Sequence, residues 1–399
     1  MIRVKKTAFY ARLSDLDRLF ECNRQSALVW NDCLKIAKEY HQKSGRWIGK
    51  TELQKATKGQ YPLHSQSIQA VCHKYLWARD NAKQARDKGY DVRYPWWEKK
   101  NYPTKWAKDG IHIYPNGKIE LSMGIREGKR QKPITVWVKE LPEGEVKEIE
   151  LIWDRKLMLA IAYEDGQTEK AAPGNRVAAI DMGEIHSIAA VTDEGEALII
   201  TGRKLRSIKR LRNKKFKELY KKRSRCKKGS RKWKKYTRAI REIGGKAEEQ
   251  QKDILHKASR QFVRWAVQNR VKEVIAGDVE GVQRNTSAKK KKNKEKGRGR
   301  KQNQRNSQWQ FGKLYAYLEY KLKVEGIGIR KTDESYTSQM CPICGRKKKV
   351  SGRVYRCYCG YKEHRDVHGA KNILAKGLYG EIRDLGIPVK KITYLRPAA

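Results

Sequence analysis

The sequence predicts a mixed α/β protein of two or three domains, on three observations in its 399 residues. A first region sets short apolar strands around one long helical stretch. A second region runs strand-strand-strand-helix-strand-helix-strand, the order of a layered α/β sheet. Near the C-terminus four of the eight cysteines fall within nineteen residues. In a chain expected to keep its thiols reduced, that density favours a metal site over disulfides.

The first region covers residues 1–165. Arg3 to Leu13 alternates in the manner of a strand. From Asp15 to about Lys88, the residues Leu16, Leu19, Phe20, Leu28, Val29, Cys33 and Leu34 recur at three-to-four spacing, which predicts helices over about 14–90. Gly110–Tyr114 and Lys118–Leu121 then flank Pro115-Asn116-Gly117, a good hairpin turn. Ile134–Val138, Val146–Trp153 and Leu157–Tyr163 continue the strand pattern, the last two joined across Asp154-Arg155-Lys156. A helical insert therefore interrupts a small β unit.

Gln167 to Asn175, beside Gly166 and containing Pro173 and Gly174, reads as a linker into a second region over 166–335. Val177-Ala178-Ala179-Ile180-Asp181 is an apolar strand ending in a carboxylate. Ser187–Val191 and Ala197–Thr201 follow as strands. Residues 203–241 carry 21 basic side chains against one acid, Glu218. Leu205, Ile208, Leu211, Phe216, Leu219 and Tyr220 recur there at near-helical spacing, which predicts a helix pair with a positive face. Further helices are expected at about Glu248–Asn269 and Gln308–Val324, with strands at Val271–Ala276 and Gly328–Thr332. Arg284 to Arg305 is a low-complexity basic tract, expected to order on nucleic acid.

A net charge of +48, from 92 Lys and Arg against 44 Asp and Glu, points to a polyanionic partner. A membrane surface fits less well, because the basic stretches lack a strongly apolar opposite face. No run of about eighteen apolar residues is present to span a bilayer. The N-terminus has no apolar signal region, so a cytosolic protein is expected. With 38% hydrophobic residues, including eleven Trp and twenty Tyr, the chain has enough apolar material for real cores.

Two carboxylates stand out. Asp181 closes its strand ahead of Met182-Gly183. Asp366 lies in His364-Arg365-Asp366-Val367-His368-Gly369-Ala370-Lys371-Asn372-Ile373-Leu374, near the start of a helix suited to packing on a sheet. Either alone is equally a turn residue or a helix cap. Together they have the chemistry of a Mg²⁺ site for phosphodiester hydrolysis, which needs several hard oxygen ligands at one point. Asp278, Glu280, Glu319 and Glu334 are candidates for a third; Glu334 follows the strand Gly328–Thr332.

Cys341-Pro342-Ile343-Cys344-Gly345 and Cys357-Tyr358-Cys359-Gly360 form two short ligand pairs suited to tetrahedral Zn²⁺. The glycine after each pair permits the tight turn. Because Cys-x-Cys is shorter than the usual knuckle, His364 stands as a reserve ligand. Cys22, Cys33, Cys72 and Cys226 lack paired spacing and are expected to be buried or idle. His256 and His368 are expected to pack or lie at the surface rather than bind metal.

Taken together, these motifs resemble TnpB, the RNA-guided nuclease family of insertion sequences related to type V CRISPR effectors. Ala179-Ile180-Asp181-Met182-Gly183 is similar to the first RuvC motif, Ala276-Gly277-Asp278-Val279-Glu280-Gly281 stands at the second, and Arg365-Asp366-Val367-His368-Gly369-Ala370-Lys371-Asn372-Ile373 is similar to the third. Tyr336-Thr337-Ser338-Gln339 leads into the cysteine pairs, and Tyr394-Leu395-Arg396-Pro397 closes the chain as in many relatives. The resemblance implies an RNase H-like RuvC nuclease domain, interrupted by basic helices and a lid loop within 166–335, a zinc ribbon at 336–363 and a RuvC C-terminal part at 364–399. It implies that 1–165 is a wedge β-barrel with a helical recognition insert. It also implies a guide RNA and target DNA as partners, a target-adjacent motif, one chain in the ribonucleoprotein, and cleavage by RuvC with Mg²⁺. The family's usual second-motif Glu aligns with Gly277; some TnpB and Fanzor proteins share this change and compensate with a later Glu. Glu334 fits that role first, Glu319 second and Asp278 third. A nuclease-dead RNA-guided repressor, a compact type V effector of the same fold and, more remotely, a DDE transposase are the competing expectations.

Overall fold

The structure of the chain, a computed structural model, describes residues 1–126, 128–280, 299–350 and 352–397. It divides into two units, Met1–Gln167 and Thr168–Ala399. The first unit opens with β1 (Ile2–Thr7) and β2 (Phe9–Tyr10), then α1 (Leu13–Ser44), α2 (Lys50–Thr57) and α3 (Ser65–Asp87). Strands β3 (Thr104–Ala107), β4 (Ile111–Ile113), β5 (Lys118–Leu121), β6 (Ile125–Arg126), β7 (Lys129–Arg130), β8 (Ile134–Val138), β9 (Glu145–Asp154) and β10 (Lys156–Glu164) complete it. Two sheets form, ordered β1-β10-β9-β3 and β2-β8-β5-β4, and β6 pairs with β7.

The helices and both sheets share one core, into which Leu19, Val29, Leu53, Trp106, Ile149 and Leu159 are sunk. Leu28, expected on the apolar stripe of α1, is instead 48% exposed, one position off the buried face. The turn at Gly117 needs its glycine: φ is 80°, and a Cβ would stand 2.4 Å from the Val138 carbonyl oxygen. Strand β3 lacks a sequence signal because four residues are too few to show a period.

The second unit begins with β11 (Arg176–Asp181), β12 (His186–Thr192) and β13 (Glu196–Thr201), followed by α4 (Arg203–Ser224) and α5 (Arg231–Gln268). Then come β14 (Val271–Asp278), α6 (Arg300–Ser307), α7 (Phe311–Val324), β15 (Gly328–Asp333), the short pair β16 (Val354–Arg356) and β17 (Lys362–His364), α8 (Arg365–Tyr379) and β18 (Lys391–Leu395). The part of the basic tract Arg284 to Arg305 that precedes Gly299 lies outside the described residues.

One sheet of order β15-β14-β11-β12-β13-β18 organises this unit. Strands β11, β12 and β13 are an antiparallel meander, while β14 and β15 run parallel to β11 on its other side. This is the strand order of an RNase H-like sheet, extended at its edge by β18 beside β13. Helices cover both faces. Phe262 of α5 and Leu318 of α7 bury one face with Ala178, Ile180, Val274 and Ala276. On the other, Val367, Ala370, Ile373 and Leu374 of α8 pack with Ala179 and Ile275.

The helix expected at Glu248–Asn269 and the second member of the basic pair are one 38-residue helix, α5, that runs through Gly244-Gly245. Burial of Ile254, Ala258, Phe262 and Ala266 outweighs the roughly 1 kcal/mol that a helical glycine costs. Phe216 of α4 packs beside Gly244, 3.4 Å from where a Cβ would stand. The strand β18 was not expected, since Lys391–Leu395 reads as a mixed tail and becomes ordered by pairing with β13. Among the described residues, no helix is long and apolar enough to cross a membrane.

Candidate active site and metal centre

Because β11, β14 and β15 are parallel neighbours, their C-terminal ends share one edge of the sheet. Ile180 pairs with Ala276, Gly277 with Thr332 and Asp278 with Asp333, so Asp181, Gly277 and Glu334 arrive close together. Side chains alternate between the faces of a strand. With Ile180 and Ala276 turned toward α5 and α7, and Ala179 and Ile275 toward α8, Asp181 and position 277 face α8. Asp278 falls on the opposite face, where its charge reaches Tyr315 of α7.

Two glycines clear the volume that the carboxylates fill. A Cβ on Gly277 would stand 2.9 Å from Glu334 Oε2 and 2.8 Å from Ile373 Cδ1. One on Gly369 would stand 2.6 Å from Asp181 Oδ2. Gly369 lies three residues after Asp366, hence on the same face of α8, so that face presents Asp366 toward Asp181. Asp366 sits in the first turn of α8, as expected, where the helix dipole favours an anion.

The electrostatics are those of crowded carboxylates. Burial pushes Asp181 up to about 7; the charge of Asp366 adds to this and that of Arg365 opposes it. Burial pushes Glu334 up to about 8, with Asp181, Asp278 and Asp333 adding repulsion. Burial acts upward on Asp366 too, but the hydrogen bond from His186 and the charge of Arg365 outweigh it, and its pKa is lowered. Asp181 thus feels the charge of Asp366, and Glu334 that of Asp181, but the three carboxylates do not gather their oxygens within 4.8 Å of one another; at that distance Asp366 is grouped with His186 and His364.

The other candidates are engaged elsewhere or exposed. Asp278 and Glu280 both pair with Lys331, at 3.4 and 3.2 Å. Glu319 is exposed on α7. His364, held in reserve for the cysteines, instead joins His186 and Asp366 in one group with ligand atoms within 4.8 Å of each other. Sequence reasoning missed His186. It is almost fully buried, donates to Asp366 at 2.5 Å, and reaches Arg353 Nη1 through Nε2 at 3.3 Å. The only sequence signal was its position just after the Asp181 turn.

The four cysteines Cys341, Cys344, Cys357 and Cys359 gather with all sulfurs within 4.8 Å of one another. Cys341 Sγ lies 3.5 Å from Cys359 Sγ, and Cys344 Sγ 3.4 Å from Cys357 Sγ. Four thiolates at about 2.3 Å from a tetrahedral ion would be about 3.8 Å apart, so the cluster fits such an ion with small adjustment. Gly345 and Gly360 adopt φ of 68° and 91°, the left-handed turns expected after each pair. Cys33 and Cys72 are buried with sulfurs 3.7 Å apart, and Cys22 is buried as well. His368 stacks on Tyr355 at 3.9 Å and His256 on Tyr317 at 4.0 Å, the packing roles expected of them.

Beside the carboxylates lies a cleft of about 790 Å³ lined by Arg203, Arg206, Lys209, Arg210, Arg305 and Arg353. Burial lowers Lys209 to about 8. Arg353 belongs to both places, since its guanidinium lines the cleft and touches His186.

Residues 160–283 match a family described as "Probable transposase" (OrfB_IS605), and residues 311–373 match one described as "Cas12f1-like, TNB domain". A TnpB-like protein of Methanocaldococcus jannaschii is 29% identical over 139 residues, which covers 34% of this chain and 46% of that protein. The chain thus spans under half the length of that relative. A protein of Streptomyces pristinaespiralis described as "Putative RNA-guided DNA endonuclease" is 26% identical over 407 residues, covering 94% of this chain and 89% of that one. Among solved structures, a Cas12f1–sgRNA–target DNA complex superposes with a TM-score of 0.64 at 16% identity, covering 92% of this chain and 83% of that chain.

Proposed function

We propose that this chain, which is a TnpB-family protein related to the type V effectors, is an RNA-guided DNA endonuclease that cuts at Asp181, Glu334 and Asp366. The observation that carries this reading is that Asp181 and Glu334 lie at adjacent strand ends and Asp366 at the start of the α8 helix that covers them, Asp181 feeling the charge of Asp366 and Glu334 that of Asp181, near a mainly basic cleft. Asp181, Glu334 and Asp366 would hold Mg²⁺, which when bound supplies an activated water and stabilises the departing oxygen. The protein's own work is to keep the three acids in place on rigid elements. The basic cleft draws the phosphate backbone alongside them.

Sequence recognition in this reading belongs to base pairing between a guide RNA and the target strand, while the protein supplies charge and shape. The first unit acts as the wedge and recognition part, with α1 to α3 as its insert. The four cysteines hold Zn²⁺, which braces the ribbon of β16 and β17 directly before α8. Glu334 supports this reading over a nuclease-dead repressor, because its carboxylate fills the place vacated at Gly277.

The test has two parts. RNA that copurifies with the protein is sequenced, with a defined scaffold and a variable end as the expected result. The protein is then loaded with a guide against a chosen plasmid and assayed with Mg²⁺. Guided cleavage of that plasmid alone is expected; guided binding without cleavage would replace the endonuclease with a repressor.

A further inference from the structure

We propose that His186 is the positioning residue for Asp366, and that Arg353 couples it to the cysteine-bearing ribbon; this deepens the reading of the carboxylate site and rests on it. Backbone register determines which side of the sheet His186 faces. Along β12, Ala189 faces α8 and Ile188 faces α5 and α7. Regular alternation would send His186 to the same side as Ile188, away from Asp366. The register breaks at this point: Ile188 pairs with Ile200, yet His186 pairs with Thr201, so two residues on β12 stand against one step on β13. Such a bulge re-aims the side chain. Thr201 shares the parity of Ile199, which faces α8, and His186 opposite it turns to the same side.

The hydrogen bonds then assign the tautomer. Arg353 Nη1 lies 3.3 Å from His186 Nε2, and a guanidinium only donates. Nε2 therefore accepts, the ring proton sits on Nδ1, and Nδ1 donates to Asp366 Oδ2 at 2.5 Å. One Asp366 oxygen is thereby engaged. The other, Oδ1, is the acceptor for Arg365 Nε at the longer distance of 3.4 Å.

Arg353 leads into β16, whose Val354 pairs with His364 at the end of β17, and β17 runs straight into α8. The Arg353 carbonyl oxygen accepts from the Arg365 backbone N–H at 2.8 Å. The ribbon thus holds Asp366 twice, by the backbone that starts α8 and by the chain Arg353–His186–Asp366. A neighbour that orients a metal-binding carboxylate typically contributes 10–100-fold in affinity or activity.

The experiment compares wild type, His186→Ala, His186→Asn, Arg353→Ala and the His186→Ala/Arg353→Ala pair as guide-loaded complexes. It reads single-turnover cleavage at saturating DNA, DNA affinity, Mn²⁺ binding by calorimetry and zinc content. His186→Ala is expected to slow cleavage about 30-fold and weaken Mn²⁺ binding about 10-fold, with DNA affinity and zinc content unchanged. His186→Asn, whose amide N–H replaces Nδ1–H, is expected to recover to within about 3-fold of wild type. Arg353→Ala is expected to cost no further cleavage rate once His186 is gone. Unchanged Mn²⁺ binding in His186→Ala, or an Asn variant as impaired as Ala, overturns the inference. A wild-type complex that binds Mn²⁺ yet never cuts overturns the endonuclease reading while leaving the role of His186 to the calorimetry.

Discussion

Glu334 Oε2 lies 2.9 Å from the point where a Cβ on Gly277 would stand. An acid at the end of β15 therefore occupies the space that an acid at position 277 of β14 would use. The two positions compete for one volume, which makes them exchangeable in principle and mutually exclusive in practice.

Cleavage should follow that exclusion. Glu334→Gln removes a metal-binding oxygen and is expected to slow guided cleavage at least about 100-fold. Gly277→Glu alone crowds the site and is expected to be equally poor. The double variant Gly277→Glu/Glu334→Gly removes the clash with Glu334 and leaves only the flexible end of Ile373 to shift, so it should recover part of the loss. Plasmid cleavage under single-turnover conditions measures all three, and a fully active Glu334→Gln variant would transfer the role to another acid.

The raised carboxyls predict a pH dependence of stability. With Asp181 at about 7 and Glu334 at about 8, the metal-free native state retains protons that the unfolded chain, with carboxyls near 4, has released. Native protein binds more protons than unfolded between about pH 4 and pH 8, so its stability falls as pH rises through that window. Calorimetry in Mg²⁺-free buffer should show Tm decreasing from about pH 5.5 to 8.5, with added Mg²⁺ restoring most at the alkaline end. Asp181→Asn should flatten the profile. A metal-free Tm that climbs across the same interval would contradict the burial of these acids.

Much of this site was legible in residue order. Asp181 and Asp366 were found as a strand end and a helix start, because apolar runs reveal where a sheet stops and a packed helix begins; Glu334 was placed only by following the short, largely polar strand β15. The cysteine pairs were visible because turn geometry confines metal ligands to short spacings. What stayed hidden depended on pairing between distant segments. The reaiming of His186 rests on a register break against β13, and Arg353 meets His186 only because the ribbon folds back beside α8. That Asp278 turns away from α8 required knowing which face of β14 meets α7. The continuity of α5 through Gly244-Gly245 reflects tertiary burial overriding local propensity.

The cysteine cluster predicts a zinc-dependent ribbon. Elemental analysis should find one zinc per chain, and Cys341→Ser should lose it. A destabilisation on the order of 3 kcal/mol would lower the Tm of the second unit by roughly 6–12 °C. Since β17 runs directly into α8, cleavage should fall with zinc loss even where the metal-binding acids are intact. A zinc-free protein with wild-type Tm and cleavage would remove the ribbon from the account.

Binding and cutting should separate cleanly, because the acids and the basic surface are different groups of side chains. Asp181→Ala or Asp366→Ala is expected to abolish Mg²⁺-dependent cleavage while leaving guide-RNA affinity within about 2-fold, since neither acid is part of the positive surface. Replacing Arg206 and Arg210 by Ala should do the reverse at saturating metal, weakening nucleic-acid binding more than the rate of the bound complex. If the cleft and its helices neutralise about six phosphates, the plot of log K against log salt should have a slope of about −4 to −5, and each lost contact should reduce it by about one. Filter binding across 50–200 mM salt, an interval of roughly a thousandfold in affinity for such a protein, measures the slope. A shallow slope in the wild type, or one the arginine variants leave unchanged, would place the nucleic acid away from this cleft.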